Sequence, residues 1–403
     1  MIALQNPNRL VVIDALRGLT IVSIMLLHNL EHFDVYFLPE NLPEWMVSLD
    51  KNIWDFSFFL FAGKSYAIFA LLFGLTFFIQ LNNQEKKGKD FRTIFAWRLI
   101  LLLGFGVVNS AFYQGDILMF YAIIGFFLIP FIKLNNTIVF CVAIFLLIQP
   151  IEMVSLFEAI QNPSMKIANP ESWTYFGKMN EYIKNDSFIE TVQGNLTNGK
   201  TAVFKWSNES GRFSHILSLF LFGMLAGRKK LFAWNEKNKI FWVKTLILSF
   251  IVFVPMFFVK SNLEEWISSE AIRRSVTTIQ TSWTNVAFML VIVAGFILLF
   301  QTKTFYKVLN VFSSMGKMSL SNYILQSIIG STIYYGYGFG LYQYTGATYG
   351  LLITIGLATF MGYFSSWWMK NHKRGPLETI WHKATWFYRE KKVKKKLIFE
   401  SVK

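Results

Sequence analysis

The sequence predicts an all-α fold, a polytopic integral membrane bundle of about ten transmembrane helices with both termini cytoplasmic. Three observations predict it. The 403-residue chain is 54% hydrophobic and only 16% charged, where soluble domains carry roughly a quarter charged residues. Apolar runs near the ~20 residues that cross ~30 Å of hydrocarbon recur along its length. Basic residues gather in alternate connectors, the positive-inside pattern.

Taken in order, the runs are 10–30, 54–80, 94–112, 115–132, 137–157, 213–227, 240–260, 283–301, 318–336 and 347–369. The first connector is acidic, with Glu31, Asp34, Glu40, Glu44 and Asp50, and is placed outside. The basic connectors hold Lys86, Lys87, Lys89, Arg92 and Arg98, then Arg228, Lys229 and Lys230, then Lys303 and Lys307, and all fall inside. Residues 158–212 form a large polar extracytoplasmic segment. Its Trp173, Tyr175, Tyr182 and Trp206 read either as a cap that stacks on sugar rings or as ordinary interfacial aromatics. Residues 261–282 read as a second outer loop. The domain division is a bundle over 1–370 and a basic tail over 371–403, which ends in Lys394, Lys395 and Lys396 and is expected to lie on anionic lipid.

The net charge of +15 sits in short loops rather than on a soluble face interleaved with aromatics, so no nucleic-acid partner is expected. The single cysteine, Cys141, excludes an internal disulfide and a cysteine zinc site. Asp14 and Arg17 interrupt the first apolar run, which fits an uncleaved helix rather than a signal peptide. His28 and His32 are four apart on one helix without a second ligand pair, and no metal is expected. His215, His372 and His382 read as positional.

Ionisable groups inside a span cost about 2.5–3.5 kcal/mol each on insertion scales and generally face the bundle interior. On the first helix Arg17 and His28 lie within about 20° of one another and about 16 Å apart along the axis. One stripe thus carries a fixed cation near the inner end and a titratable imidazole near the outer end. The alternative is a structural Asp14–Arg17 pair with His28 bonded to a neighbouring helix. Lys64 lies deep in the second run and needs an anion or a wet cavity. Arg98 opens the third run as a donor-binding cation or a cytoplasmic anchor. Asp116 opens the fourth, as a helix-N-terminal carboxylate or as a partner for His28 or an acceptor hydroxyl. Ser319, Asn322 and Gln326 share a face of the ninth, as helix glue or as the lining of a ligand path. GYGFG at 336–340 follows a membrane helix and is a poor nucleotide motif.

The run Arg9-x4-Asp14-x-Leu16-Arg17-Gly18, with Leu27-His28 at the helix end, resembles the opening of the transmembrane acyltransferase superfamily. That group includes the membrane O-acyltransferases of bacterial polysaccharides and heparan-α-glucosaminide N-acetyltransferase. FALLFG at 69–74, GDIL-x-x-Y-A-x-x-G from Gly115, GKMSLSNYILQS from Gly316 and KRGPLETIWHKAT from Lys373 resemble its YeiB-like branch. The resemblance implies acetyl-CoA or another acyl-CoA as cytoplasmic donor and an extracytoplasmic hydroxyl or amine acceptor, glycan or lipid-linked. It implies His28, Asp116 and Asn109 as catalytic residues. Arg17, Arg98, Lys64, Asn322 and Gln326 are then the donor-binding candidates. Where that branch carries Asn and His, this chain has His28 and Asn109, a swap that preserves the chemistry if both border one cavity.

Acyl transfer from a thioester needs a base in the imidazole range, a donor beside the developing oxyanion and cations for the phosphates. The expected arrangement is a hydrated tunnel that joins Arg17 to His28. The rival is a secondary transporter or lipid or glycan exporter, which the intramembrane charges favour, though no inverted repeat is visible. A non-catalytic membrane component is the third reading. All three place the chain in the bacterial inner membrane as a multi-pass protein among membrane lipids, monomeric or homo-oligomeric.

Overall fold

A computed structural model describes residues 11–37, 39–40 and 42–387. Arg9 of the opening motif and Lys394–Lys396 lie outside the described residues. The described chain is all helical, with no strand.

α1 (Val11–Leu30) ends in a 3-10 turn over His32–Asp34. α2 (Glu44–Phe61) and α3 (Ser65–Glu85) are the two halves of a broken span. α4 (Arg92–Phe112), α5 (Leu118–Phe126), α6 (Asn136–Leu147) and α7 (Pro150–Gln161) follow. α8 (Glu171–Ile183), α9 (Phe188–Gly194) and α10 (Lys200–Glu209) build the 158–212 segment. α11 (Arg212–Arg228), α12 (Glu236–Ser261), a short α13 (Leu263–Trp266), α14 (Glu270–Phe300), α15 (Lys303–Leu309), α16 (Phe312–Lys317), α17 (Ser319–Tyr334) and α18 (Ala347–Asn371) come next. A last helix, α19, covers 376–387.

Among the described residues, six segments are long and apolar enough to cross a membrane: α1, α2 with α3, α4, α12, α14 and α18. The α6–α7 pair, bent by 43°, makes a seventh if it is one span. α5, α11 and α17, where further runs were expected, have 9, 17 and 16 residues.

The basic connectors meet at one end of the bundle. Residues 85–92 and 132–133 border one surface hollow. The Arg228 guanidinium donates to the carbonyls of Phe131, Ile132 and Leu134 at the end of a 3-10 turn. Arg17 donates to Thr76 Oγ1 at 2.8 Å, so the start of α1 and the end of α3 belong to this basic end. At the opposite end the acidic connector meets the 113–116 turn and the α8–α10 segment.

α3 and α11 cross at close range because each offers a glycine to the other's backbone. A Cβ on Gly74 would meet the Phe220 carbonyl, and one on Gly223 would meet the Leu71 carbonyl. Small residues let membrane helices approach where no hydrophobic force drives them together. The α2–α3 break rests on Gly63, at φ +76°, where a side chain would also collide with the Asn285 amide.

One sequence expectation is corrected. Residues 270–282, expected as outer loop, are the first turns of the 31-residue α14. Ser269 caps them by accepting from Ile272 N, and Ala271, Ser275, Ile279 and Ser282 are buried at helical spacing. The chain here is amphipathic rather than continuously apolar, so its helix hides from a search for apolar runs. The start of the basic tail is a helix packed on the bundle. α19 docks on the bundle, with Trp381 Nε1 donating to the Arg98 carbonyl and Trp97 Nε1 donating to the Ala384 carbonyl. Glu378 accepts from Leu320 N, Ser321 N and Ser321 Oγ, and so closes the open N-terminus of α17.

Candidate functional site

A cavity of about 470 Å³ occupies the end of the bundle opposite the basic connectors. The end of α1 contributes His28 and Glu31, the 3-10 turn Asp34, the α2–α3 break Gly63, Ser65 and Tyr66, and the α4–α5 turn Tyr113 and Asp116. The helical 158–212 segment closes over it with Trp173, Phe176 and Trp206 in the walls, and Arg212 and Tyr323 complete the lining. The cap alternative for this segment therefore has the geometry it requires. The segment's polarity concealed its helices: Ser172, Met179 and Ile183 form the buried stripe of α8.

The His28 ring is held on one side. Its Nδ1 lies 3.2 Å from the Tyr113 hydroxyl and 3.8 Å from Glu31. Tyr113 donates to Asp34 at 3.4 Å. With its proton committed there, the phenol oxygen accepts from His28 Nδ1–H. That places the proton on Nδ1 and leaves Nε2 as the basic nitrogen. Gln114 Nε2 also donates to Asp34, at 3.1 Å. Burial first, and then the Glu31 charge, push the Asp34 carboxyl up to about 6. His32, Phe33 and Asp34 hold φ of 48°, 55° and 72°. Three consecutive left-handed residues are strained, and the packed Phe33 and the Tyr335 hydroxyl bond to the Phe33 carbonyl hold them there.

Asp116 is fully buried. Its carboxylate accepts from Asn109 Nδ2 and from Met119 N, both at 2.9 Å. It thus caps α5, the helix-N-terminal reading, while it also lines the cavity. Lys200 Nζ, donating to the Gln114 carbonyl at 2.8 Å, offsets its charge. Burial lowers the Lys200 ammonium to about 8, against the opposing pull of Asp116. Asn109 does not line the cavity; it reaches it through Asp116.

A second cavity, of about 200 Å³, lies toward the basic end and is lined by Arg17, Thr76, Arg98, Lys317, Glu378 and Trp381, among others. Arg17 pairs with Asp14 at 3.3 Å. The Arg98 guanidinium lies 4.1 Å from the centre of the Trp381 ring.

The expected single tunnel is absent among the described residues, because His28 and Arg17 line different cavities. Tyr121, buried and lining the second cavity, donates to the Tyr66 carbonyl at 2.6 Å. Tyr66 and Tyr323 line the first. Three large aromatic residues form a septum between the two.

Three of the donor-binding candidates lie away from both linings. Lys64 sits at the helix break with its ammonium 5.7 Å and 5.9 Å from the centres of the Phe288 and Phe59 rings. Asn322 bridges to Ser365 Oγ and the Met315 carbonyl, the helix-glue alternative. Gln326 is buried, with both amide atoms unbonded in the described structure. Sequence reasoning missed Arg212, Tyr113 and Tyr66. Arg212 stands at the seam between a polar segment and an apolar run, where a lone basic residue reads as a helix-end anchor.

Residues 226–388 match the family described as "Protein of unknown function (DUF418)". The chain is similar to the uncharacterized protein YxaH of Bacillus subtilis (strain 168), 27% identical with 94% of each chain covered. An uncharacterized 39.9 kDa protein in the amylase 3′ region of Bacillus acidopullulyticus is 23% identical, with 94% of each covered. The uncharacterized protein YeiB of Escherichia coli (strain K12) is 24% identical, covering 94% of this chain and 96% of that one. No solved structure matches. These matches support a YeiB-like family.

Proposed function

We propose that this chain is a multi-pass membrane acyltransferase of the YeiB-like kind, with its basic end toward the cytoplasm. It moves an acyl group, acetyl foremost, from acyl-CoA to a hydroxyl or amine of a glycan or lipid-linked acceptor in the outer cavity. The observation that carries this reading is the His28–Tyr113–Asp34 chain opening on an aromatic-walled cavity opposite the Arg17–Arg98 cavity.

In this reading His28 Nε2 takes the acceptor proton as the acceptor oxygen or nitrogen bonds to the acyl carbon. The C–S bond breaks, and the proton then passes to the departing thiolate. Tyr113 and Glu31 fix the ring, and Asp116 with Asn109 holds the turn that carries Tyr113 in place. Arg17 and Arg98 attract the donor's anionic part. The inner cavity is below the roughly 300 Å³ at which ligand pockets begin, so it suits the thioester arm and leaves the nucleotide outside. The arm reaches His28 only after Tyr121 releases the Tyr66 carbonyl. The test is thiol release from acetyl-CoA by purified protein supplied with candidate acceptors. His28→Ala abolishes it while the protein stays monodisperse. Full turnover by that variant refutes the assignment.

The septum favours a second reading, an exporter resting in an occluded state. Substrate flux in liposomes without any acyl-CoA would establish it.

A further inference from the structure

Besides tyrosines, five ionisable side chains line the outer cavity: His28, Glu31, Asp34, Asp116 and Arg212. Four of them have polar partners. His28 and Asp34 share Tyr113, Asp116 has Asn109 and Met119 N, and Glu31 accepts from Tyr36 at 3.3 Å. Arg212 differs. Its guanidinium lies 3.8 Å from the centre of the Trp206 ring and 4.5 Å from that of Tyr66. Among the described residues no carboxylate or other acceptor bonds it. Ring faces orient a guanidinium and compensate part of its charge, but they leave its five N–H donors at its edge. A cation in a largely apolar cavity is costly when no carboxylate bonds it, and the Glu31 charge that acts on Arg212 does so without a hydrogen bond. A planar fork held against aromatic rings is preorganised for a two-pronged oxyanion.

We infer that the outer cavity takes an acceptor bearing an oxyanion, a phosphate or carboxylate, gripped by the Arg212 fork beside Trp206 and Tyr66. This rests on reading that cavity as the acceptor site, and it narrows the acceptor to an anionic glycoside or glycosyl phosphate. Trp173 and Phe176 supply faces for the attached ring. The acidic residues around His28 oppose an anion in part; the Lys200 ammonium offsets the Asp116 charge, and Arg212 stands against the Trp206 and Tyr66 rings instead.

The test is direct binding to the full chain in detergent, by calorimetry. The probes are glucose 1-phosphate, glucuronate and the neutral methyl α-glucoside. One or both anions are expected to bind at least tenfold tighter than the glucoside, and the phosphate and carboxylate arms tell the two sources apart. Salt weakens the preference. Arg212→Gln removes the difference, and Arg212→Lys retains part of it. Trp206→Phe, which keeps a ring face, preserves the preference and guards against a misfolded Arg212 variant. Equal binding of all three probes, no binding of either anion, or a preference that survives Arg212→Gln overturns the inference. No step of this assay needs acyl transfer. Anion binding without turnover leaves the inference standing and the enzyme reading in question. Turnover of neutral acceptors untouched by Arg212→Gln does the reverse.

Discussion

Adding one methyl group at Gly223 should unsettle both cavities at once. The new Cβ would lie 2.8 Å from Leu75 N and 2.9 Å from Leu71 C, and against the Leu71 carbonyl oxygen. All three are backbone atoms of α3, so no side chain can swing aside. Ordinary Cβ contacts begin near 3.4 Å; α11 must therefore back away by more than half an ångström, and farther to clear the oxygen. A gap of 0.5–1 Å forfeits about a quarter to a half of each dispersion contact along the seam. Overpacking of this kind costs about 1–3 kcal/mol. Gly74→Ala meets the Phe220 backbone in the same way, with carbon atoms at 2.7 and 2.8 Å. Gly104, Gly295 and Gly356 have nothing within 4 Å of an added Cβ. There alanine relieves helix entropy and should be neutral or stabilising by up to about 1 kcal/mol. The assay is thermal unfolding of detergent-purified protein by thiol-independent fluorimetry. Gly223→Ala and Gly74→Ala lower the midpoint by several degrees, and Gly356→Ala leaves it level or higher. The double variant costs less than the sum, since the first methyl has already parted the helices. A Gly223→Ala midpoint equal to that of Gly356→Ala would refute the argument that backbone proximity holds this seam.

The other predictions concern the site and its supports. Tyr113→Phe removes the hydroxyl between His28 and Asp34; transfer from acetyl-CoA is expected to fall about 10- to 100-fold, with stability within about 1–2 kcal/mol of the parent, and an unchanged rate would dissociate Tyr113 from the reaction. Asp34 has a folded carboxyl pKa raised from 3.8 to about 6, so its stabilising contribution is complete below about pH 4 and is lost as pH rises through 6. Asp34→Asn, which tolerates the left-handed backbone, should gain on the parent by at most about 3 kcal/mol between pH 4 and 7; midpoints that run parallel across that window would contradict this. Glu378→Ala leaves two backbone N–H groups of α17 uncapped and costs about 2 kcal/mol. Hydrogen exchange should then accelerate in 376–387, and unaltered protection there would show that α19 docks without its carboxylate.

The broad architecture was legible because apolar runs announce themselves. α1, α4, α12 and α18 coincide with them to within a few residues. The break at 62–64 was not legible, since FAGKS sits inside one continuous apolar stretch and only Gly63 hints at a turn. The site was half legible. His28 and Asp116 stood out as charges where lipid was expected, and they do share a cavity. Arg17 and Arg98 stood out likewise and share another. The septum between them is built of Tyr66, Tyr121 and Tyr323, residues that any apolar helix could bury, so nothing in their spacing marked the division. Asn322 illustrates the opposite case: its polarity drew a functional alternative, and its partner Ser365 lies 43 positions away on a helix whose register no local pattern supplies.

A wall of three phenols has a bioenergetic meaning. A bilayer protein with wet chambers facing both compartments would discharge the proton-motive force if they ever joined in a standing column of water. In the proposed topology, keeping them apart lets each fill and empty on its own side while the gradient is preserved. On that proposal, cells carrying Tyr121→Ala should reveal the defect as proton leak and slowed growth on non-fermentable carbon.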